Sequence, residues 1–304
     1  MKLPYRTIVT IVLFPLAAML SVARASEDQP PAGKKYIYKQ SGGRPREMEV
    51  YFPENHDSAK TAVPGILLFH GGGWTGGSLS QFRVACHYFA QRGLVAATAN
   101  YRMLNREESA KLPEGESHKR VCITDAKSAI RWMKEHAAEL GIDPKRIITG
   151  GGSAGGHIAV LATTNAGLND PADSPGIDTT VVAYLLFNPA FSPSDRHDTE
   201  VDVFRHLEAD FAPAIALFGT NDAWKPGWNA VRKRLAQLGS TTTESWLAEG
   251  QAHGFFNRQP WRDVTLAAAD RFLAQHGLLE GECLIPAPPG GDRPILEGPA
   301  AGAR

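Results

Sequence analysis

Residues Ile147 to His157 read IITGGGSAGGH, and the prediction of the fold class starts from this stretch. A short β-branched run ends in three glycines, Ser153 follows, and the chain continues into an apolar, helix-prone run. Residues 151–155 match G-x-S-x-G, the pattern of a sharp strand-to-helix corner that lifts a serine hydroxyl above a sheet. The corner needs small neighbours because its serine is strained and larger side chains would collide. Alone, the pattern also fits a glycine-rich turn that caps a helix.

Apolar runs of strand length alternate with helical patterns along the chain. Continuous apolar runs indicate strands that are buried on both faces. The predicted strands are residues 65–69, 94–99, a run around 147, 181–187, 214–218 and 242–247, preceded by a hairpin over 35–40 and 46–52. The predicted helices are residues 80–92, 123–140, 227–238 and 261–276. This alternation predicts an α/β fold with a mostly parallel central sheet flanked by helices on both faces.

The first 25 residues have the features of an export signal. Lys2 and Arg6 precede an apolar run over 8–20, and Ala-Arg-Ala at 23–25 offers a cleavage site. The run is too short to span a bilayer comfortably, which favours a signal that is cleaved. The alternative is a segment that is not cleaved and stays as an N-terminal membrane anchor. We therefore predict an exported protein, periplasmic or secreted, without stable membrane insertion after cleavage. The remaining predicted segments are a flexible lead-in over 26–35, one domain over 36–278 and a disordered Pro/Gly-rich tail over 279–304.

Charge and cysteine content argue against several classes of protein. The chain has 32 basic and 32 acidic residues, and removal of the signal leaves 29 against 32. This balance argues against nucleic-acid binding, because a nucleic-acid-binding protein needs a basic surface. A near-neutral surface is compatible with a monomer or a dimer, so the oligomeric state is left open. Three cysteines are too few for a disulfide scaffold and lack metal-ligand spacing, so no metal site is predicted. Whether Cys86 and Cys122 form a disulfide is left open by the sequence, because both cysteines also fit ordinary half-buried positions on helices.

Three side chains in loops after predicted strands have the chemistry of a nucleophile, a base and an acid. A serine hydroxyl becomes a useful nucleophile when a base lies within hydrogen-bond reach and an acid orients that base. Among ten histidines, His253 is the best base because it lies in a glycine-flanked loop after the last predicted strand of the sheet. Asp222 is the best acid because it ends a buried strand. The chain order Ser153, Asp222, His253 agrees with the nucleophile corner.

The loop after the first buried strand has glycines that suit an oxyanion. The N–H groups of Gly72 and Gly73 can approach such an oxygen closely, and the Ala154 N–H at a helix N-terminus adds a donor. The same loop fits G-x-G-x-x-G over residues 71–76. A dinucleotide site is excluded because the next strand ends at Asn100, without an acidic residue for a ribose.

Together these motifs resemble the α/β-hydrolase superfamily over about residues 36–278. The residues that carry the resemblance are His70-Gly71-Gly72-Gly73-Trp74, the serine corner, Asp222 and His253-Gly254-Phe255. The chain resembles the secreted carbohydrate-ester group, which is acetylxylan- and feruloyl-esterase-like, and more distantly the hormone-sensitive-lipase-like esterases. The resemblance implies a serine esterase with a Ser153–His253–Asp222 triad, an oxyanion hole of Gly72, Gly73 and Ala154, a covalent acyl-enzyme and no cofactor.

The chain departs from the lipase-like branch in its N-terminal part. A strand hairpin stands where that branch has a helical cap, and only 69 positions separate Ser153 from Asp222. We therefore predict a domain without a large cap and an open site for short, acetyl-type acyl groups, with a small molecule or a carbohydrate as the alcohol. Residues beside the candidate loops are predicted to contact substrate, with core packing as the alternative; they are Trp74, Tyr101, Asn188 and Trp224.

Two other functions compete with the esterase hypothesis. A prolyl-oligopeptidase-like serine peptidase would also use G-x-S-x-G-G and a late His-Gly, but the chain has no propeller-sized N-terminal domain. A catalytically inactive hydrolase fold could serve as a binding module. The combination of a corner serine, a late histidine and paired glycines argues against it, because a scaffold needs none of them.

Overall fold

The computed structural model describes residues 30–286, 291 and 293–297. The export signal predicted over 1–25 lies outside these residues. The strands are β1 Lys34–Ser41, β2 Arg44–Tyr51, β3 Val63–Phe69, β4 Val95–Ala99, β5 Ile142–Gly152, β6 Ala183–Phe187, β7 Ala214–Gly219, β8 Thr243–Ala248 and β9 Ile295–Leu296. The main helices are α1 Arg83–Gln91, α2 His118–Glu135, α3 Ala154–Thr164, α4 Lys225–Gln237 and α5 Trp261–Gln275.

The strands form one nine-stranded sheet in the order β1-β2-β4-β3-β5-β6-β7-β8-β9. Neighbouring strands from β4 to β8 in this order are parallel. Antiparallel pairs close the two ends, where β1 and β2 form the predicted hairpin and β8 pairs with β9. Gly42 and Gly43 turn the hairpin at φ +60° and +71°, a left-handed pair that glycine adopts without strain. The predicted α/β architecture is confirmed.

Helices cover both faces of the sheet, because alternate residues of the central strands face opposite sides. In β3, Leu67 and Phe69 belong to the core with α2, α3 and α4, whereas Ile66 and Leu68 belong to the core with α1 and α5. All four side chains are inaccessible to solvent. A strand buried on both faces needs the continuous apolar run seen in the sequence.

The two buried cysteines belong to different cores. Cys86 on α1 packs on one face of the sheet, and Cys122 on α2 packs on the other. Both are free, as is Cys283. The disulfide left open by the sequence is therefore not formed, because the sheet lies between its two candidate partners.

The bounds of one predicted helix and the content of one predicted loop differ clearly from the structure. The helix predicted over 123–140 begins at His118, capped by the Ser117 side chain, and ends at Glu135; a separate helical turn spans Ala137–Leu140. Its first turn begins with three polar, half-buried residues, so hydrophobic periodicity misses it. The predicted polar loop over 103–119 holds a short helical turn at Arg106–Ser109. Within the described residues, no separate helical cap precedes the first strand of the sheet.

The tail predicted to be disordered from residue 279 contains a short strand. Ile295 pairs with Leu247 of β8, and the Glu297 N–H donates to the Ser245 carbonyl at 2.7 Å. An edge strand has unpaired backbone groups, and β9 satisfies those of β8. The prediction of disorder is therefore wrong for this part of the tail.

A buried ion pair ties α1 to α5. The Asp270 carboxylate is 1% exposed and accepts hydrogen bonds from Arg92 Nε at 2.6 Å and from the Tyr88 hydroxyl at 2.7 Å. These contacts hold together the helices of one face. None of the helices in the described part of the chain has the length and apolar character needed to cross a membrane.

Candidate active site

Ser153 stands at the junction of β5 and α3 in a strained backbone conformation, with φ +51° and ψ −116°. Its N–H donates to the Phe187 carbonyl of β6 at 2.9 Å, and its carbonyl accepts from the Ala190 N–H at 3.0 Å. Neighbouring backbone therefore holds the corner in place. A Cβ on Gly151 or on Gly155 would lie 2.3 or 2.0 Å from the Phe69 carbonyl oxygen, so neither position accepts a side chain.

The structure brings Ser153, His253 and Asp222 into one hydrogen-bonded line. His253 Nε2 lies 2.8 Å from Ser153 Oγ, and His253 Nδ1 lies 2.9 and 3.1 Å from the two Asp222 carboxylate oxygens. The Asp222 carboxylate is buried, whereas the His253 side chain is 35% exposed. A buried carboxylate at Nδ1 selects the tautomer with the proton on Nδ1 and leaves Nε2 as an acceptor for the serine proton.

The strand order explains why these distant residues meet. Ser153 follows β5, Asp222 follows β7 and His253 follows β8, and the carboxyl ends of parallel strands lie at the same edge of a sheet. Asp222 Oδ1 also accepts from the Trp224 N–H at 2.9 Å, so the turn into α4 fixes the carboxylate. In chemical terms, the group is a hydroxyl beside a base that a buried anion orients.

Two glycine N–H groups beside the serine corner are suited to bind a developing negative charge. Gly72 and Gly73 have φ +124° and +64°, and a Cβ on Gly72 would lie 2.3 Å from the Gly76 carbonyl oxygen. Among the described residues, neither N–H finds a hydrogen-bond acceptor. Ala154 begins α3, and the N–H groups of a first helical turn have no acceptor within the helix.

Half-buried and buried side chains pack against this glycine loop and hold it in place. Gln81 Oε1 accepts from the Gly71 N–H at 2.6 Å. The His70 ring stacks on the Tyr101 ring with centroids 4.5 Å apart, and the Tyr101 hydroxyl donates to the His70 carbonyl at 2.8 Å. Burial lowers the pKa of His70, which favours the neutral form of its ring. Tyr101 is inaccessible to solvent, and its prediction as a substrate contact is therefore wrong.

Asn188 is also a support rather than a substrate contact. The residue has φ +42° and is inaccessible to solvent. Its Oδ1 accepts from the Gly254 N–H at 3.1 Å, and its Nδ2 lies 3.4 Å from His253 Nε2. The side chain therefore ties the loop after β6 to the loop that carries His253.

Trp74 and Trp224 form an aromatic wall beside the histidine. Their ring centroids are 6.3 Å apart, and the Trp224 centroid is also 6.3 Å from that of His253. Trp74 is 8% exposed, and Trp224 is half-buried. The Trp74 Nε1–H donates to His157 Nδ1 at 3.3 Å, and Lys119 Nζ lies 3.8 Å above the Trp74 ring. Of the four predicted substrate contacts, only these two tryptophans border the site.

A model of the BD-FAE family matches residues 48–223, more than half of the chain. The chain belongs to the BD-FAE family. The matched segment of the BD-FAE family includes the glycine loop, Ser153 and Asp222, whereas His253 lies beyond it.

Two curated relatives of this BD-FAE member are ester hydrolases by name. Carboxylesterase NlhH of Mycobacterium tuberculosis is 33% identical over 176 residues, which cover 49% of this chain and 51% of NlhH. The probable carboxylic ester hydrolase LipM of the same organism is 28% identical over 214 residues, 60% of this chain and 47% of LipM. The matches thus span about half the length of these relatives.

A solved structure matches over a larger share of the BD-FAE chain. Esterase 2 of the Planctomycetes species Thermogutta terrifontis, with propionate bound, has a TM-score of 0.75 and 33% identity, covering 83% of this chain and 97% of its own. Other structures of that esterase have butyrate bound or are phosphorylated by paraoxon. These similarities place this BD-FAE member among ester-hydrolysing enzymes of the α/β-hydrolase fold.

Sequence reasoning missed the side chains that hold Trp74. His157 lies on α3 and Lys119 on α2, and Asp195, which is 3% exposed, lies 2.5 Å from Lys119 Nζ and 3.5 Å from His157 Nε2. No local motif marks these contacts, because they join segments about 40 to 80 positions apart. Within the described residues, no group of His, Cys, Asp and Glu is arranged to hold a metal ion.

Proposed function

We propose that this protein hydrolyses short-chain carboxylic esters through a covalent acyl-enzyme on Ser153. The single observation that carries the proposal is the hydrogen-bonded line from Ser153 Oγ through the His253 ring to the buried Asp222 carboxylate. The esterase relatives and the family support ester hydrolysis as the reaction.

In the proposed mechanism, His253 moves one proton in each half of the reaction. Ser153 Oγ attacks the ester carbonyl carbon while its proton passes to His253 Nε2. The tetrahedral intermediate collapses, the bond to the alcohol oxygen breaks, and His253 donates the proton to the leaving alkoxide. Water then attacks the acyl-enzyme, again losing a proton to His253, and the carboxylic acid leaves as Ser153 regains its proton. Asp222 keeps the imidazole oriented and stabilises its positive charge.

The proposed oxyanion hole consists of the N–H groups of Gly72, Gly73 and Ala154. Donors that face the carbonyl oxygen bind the charge that develops on it in the transition state, and their fixed backbone needs no reorganisation during the reaction. The tight turn from Gly72 to Gly76 supports this role, since it fixes the direction of the first two N–H groups.

We propose short acyl groups as substrates, and acetylated carbohydrates as one class of them. The site has no helical cap among the described residues, and a long acyl chain would find little apolar cover there. Thermogutta terrifontis esterase 2, whose structures hold propionate and butyrate, supports the short acyl chain. Trp224, which is half-buried beside His253, supports a ring-shaped alcohol, because aromatic faces stack on sugar rings.

We also propose that the protein is exported. The charged start, the apolar run over 8–20 and the Ala-Arg-Ala sequence at 23–25 support this proposal. N-terminal sequencing of the protein recovered from a periplasmic or culture fraction tests it. A mature N-terminus at Ser26 is expected, whereas a protein retained with Met1 in the cytoplasm would contradict export.

The test of the catalytic proposal is hydrolysis of p-nitrophenyl esters from acetate to laurate by the wild type and by Ser153→Ala. Activity is expected to peak at short chains and to be lost in the variant. Paraoxon should add one diethylphosphoryl group to the wild type, with release of p-nitrophenol, and none to Ser153→Ala, as measured by intact mass. Equal turnover by both proteins, or labelling at another residue, would overturn the role of Ser153. Fastest hydrolysis of the longest chains would overturn the proposed substrate class.

A further inference from the structure

A cavity of about 360 Å³ lies directly beside the serine corner. Gly71 of the glycine loop forms part of its wall, and a Cβ on Gly71 would lie 3.2 Å from Ser153 Cβ. Phe256, three residues after His253, forms another part, and its ring edge would lie 2.6 Å from a Cβ on Gly152. The cavity therefore shares its walls with residues that adjoin both the nucleophile and the base.

The lining of this cavity is apolar on one side and polar on the other. Phe82, Phe187 and Phe256 form a packed aromatic cluster with ring centroids 5.2 to 6.0 Å apart. Gln81 and Arg262 line the polar side. Such a cavity fits a ligand with a short apolar body and a polar end.

Arg262 is the cationic group in the wall of this cavity, and among the described residues no carboxylate lies within 3.0 Å of its guanidinium. Its Nε is inaccessible to solvent and, within the described chain, makes no hydrogen bond. Its one ionic contact is with Asp263 Oδ1 at 3.5 Å, and the Asp263 side chain is 46% exposed. By contrast, carboxylates lie within 3.0 Å of six other buried or half-buried arginines; these are Arg83, Arg92, Arg102, Arg120, Arg131 and Arg232.

Gln81 adds a neutral donor to the same cavity. Because its Oε1 accepts from the Gly71 N–H, the orientation of the amide is fixed. A rotation by 180° would place the NH₂ group against that N–H donor. The Gln81 NH₂ group finds no acceptor in the part of the chain that the structure describes. The cavity thus holds a guanidinium and an amide NH₂, both of which can donate to an anion.

We propose that this cavity is a subsite for a carboxylate on the ester substrate, bound by Arg262 and assisted by Gln81. The inference rests on the proposed esterase function and narrows its substrate class to esters that also carry a free carboxylate. Guanidinium binds carboxylate through paired, charge-assisted hydrogen bonds, which are strong where the pair is partly shielded from water. The phenylalanine side of the cavity accommodates the methylene groups between the carboxylate and the ester.

The carboxylate could be carried by the acyl part or by the alcohol part of the ester. Two pairs of substrates, each an anionic ester and its neutral counterpart, distinguish the two cases. The acyl pair is ethyl hydrogen adipate against ethyl hexanoate, and the alcohol pair is 4-acetoxybutanoate against butyl acetate. Acid release in a pH-stat is followed for the wild type, Arg262→Gln, Arg262→Lys and Arg258→Gln. Arg258 is exposed and does not line the cavity, so its substitution removes the same charge nearby and serves as the control.

We expect Arg262→Gln to lower kcat/KM for the anionic ester of one pair by about 10- to 100-fold, mainly through KM. The neutral partner should change less than about twofold, because its transition state makes no contact with the guanidinium. Arg262→Lys should retain part of the preference, and Arg258→Gln should behave as wild type. A preference confined to one pair identifies the part of the ester that carries the carboxylate.

Equal losses for the anionic and neutral esters in Arg262→Gln would show a structural role and overturn the subsite. A wild type that does not prefer either anionic ester would also overturn it. If Arg262→Gln does not fold, inhibition by adipate is measured on the wild type and on Arg262→Lys. We then expect adipate to inhibit the wild type competitively and Arg262→Lys more weakly. No inhibition of the wild type by adipate would contradict the proposal. A wild type that hydrolyses no ester of either kind refutes the esterase function itself, which is a distinguishable outcome.

Discussion

The side chain of Asn188 accepts a hydrogen bond from the backbone N–H of Gly254 at 3.1 Å, which joins the corner after β6 to the histidine loop. Asn188 reaches this position in a left-handed backbone conformation that few residues adopt, and it is fully buried. The position of His253 relative to Ser153 therefore depends on a residue that follows a different strand.

We expect Asn188→Gly to lower kcat for a short ester by about tenfold, with little change in KM. Glycine tolerates the left-handed backbone, so the substitution removes only the side chain that fixes the loop. Asn165→Ala is the control, because Asn165 is equally buried and donates to the Glu200 carbonyl far along the chain from His253. Steady-state kinetics and thermal unfolding are measured on both. Equal kcat losses in the two variants would contradict a specific role for Asn188.

Stability should fall as the pH drops from about 6.5 to about 4, because His157 is buried and neutral. Burial, aided by the nearby Lys119 charge and opposed by Asp195, lowers the pKa of His157 to about 4. The unfolded chain binds a proton at His157 below about pH 6.5, whereas the folded chain does not. This difference destabilises the fold by roughly 1.4 kcal/mol per pH unit, or about 3 kcal/mol in all.

Urea unfolding at pH 7, 6, 5 and 4.5 measures this dependence. The variant His157→Gln keeps an acceptor for the Trp74 N–H but cannot bind the proton. Between pH 6.5 and 4, its free energy of unfolding should therefore fall less steeply than that of the wild type, by the roughly 1.4 kcal/mol per pH unit assigned to His157. An identical pH slope in the wild type and the variant would exclude His157 as its source.

Asp270→Ala should destabilise the protein by about 3 to 5 kcal/mol, because it leaves the Arg92 guanidinium without its carboxylate partner. The folded fraction should keep its kcat, since the pair joins α1 to α5 away from Ser153. Chemical denaturation is the measurement. Asp57→Ala removes an exposed partner of Lys60 and should leave the unfolding midpoint unchanged. Similar midpoints for the two variants would show that burial adds nothing to the Asp270 pair.

Gly155→Ala should yield little folded protein, and any that folds should have lost most of its activity. The added Cβ would lie 2.0 Å from the Phe69 carbonyl oxygen and 2.6 Å from that of His70, so β3 and the serine corner would have to separate. Gly176→Ala, in a loop with nothing within 4 Å of its Cβ, is the matched control and should be neutral or slightly stabilising. Recovery of soluble protein, circular dichroism and esterase assays compare the two. Wild-type activity in Gly155→Ala would disprove the steric argument.

The sheet and the meeting of Ser153, Asp222 and His253 could be predicted from the sequence, because both follow from local patterns and one topological rule. Buried parallel strands appear as continuous apolar runs, and residues that follow such strands collect at one edge of the sheet. No long-range contact has to be known for either inference.

The functions of Tyr101 and Asn188 could not be predicted in the same way. Their positions beside the loops were correct, but adjacency in sequence does not show whether a side chain faces the site or the protein interior. Tyr101 turns inward to His70, and Asn188 turns to Gly254. Strand β9 was missed for a related reason, since it depends on the free edge of β8 rather than on its own Pro/Gly-rich sequence.

The close packing of Gly151 and Gly155 against the Phe69 carbonyl limits how this protein can diversify. The contact is made by backbone, so no substitution of a neighbouring side chain creates room for a larger residue there. Trp74, Trp224 and Arg262 lie in loops or at the start of a helix, where side chains can be exchanged without moving the sheet. A mutant library or a diverging lineage can therefore change the substrates that enter, while the atoms that carry out the reaction keep the same arrangement.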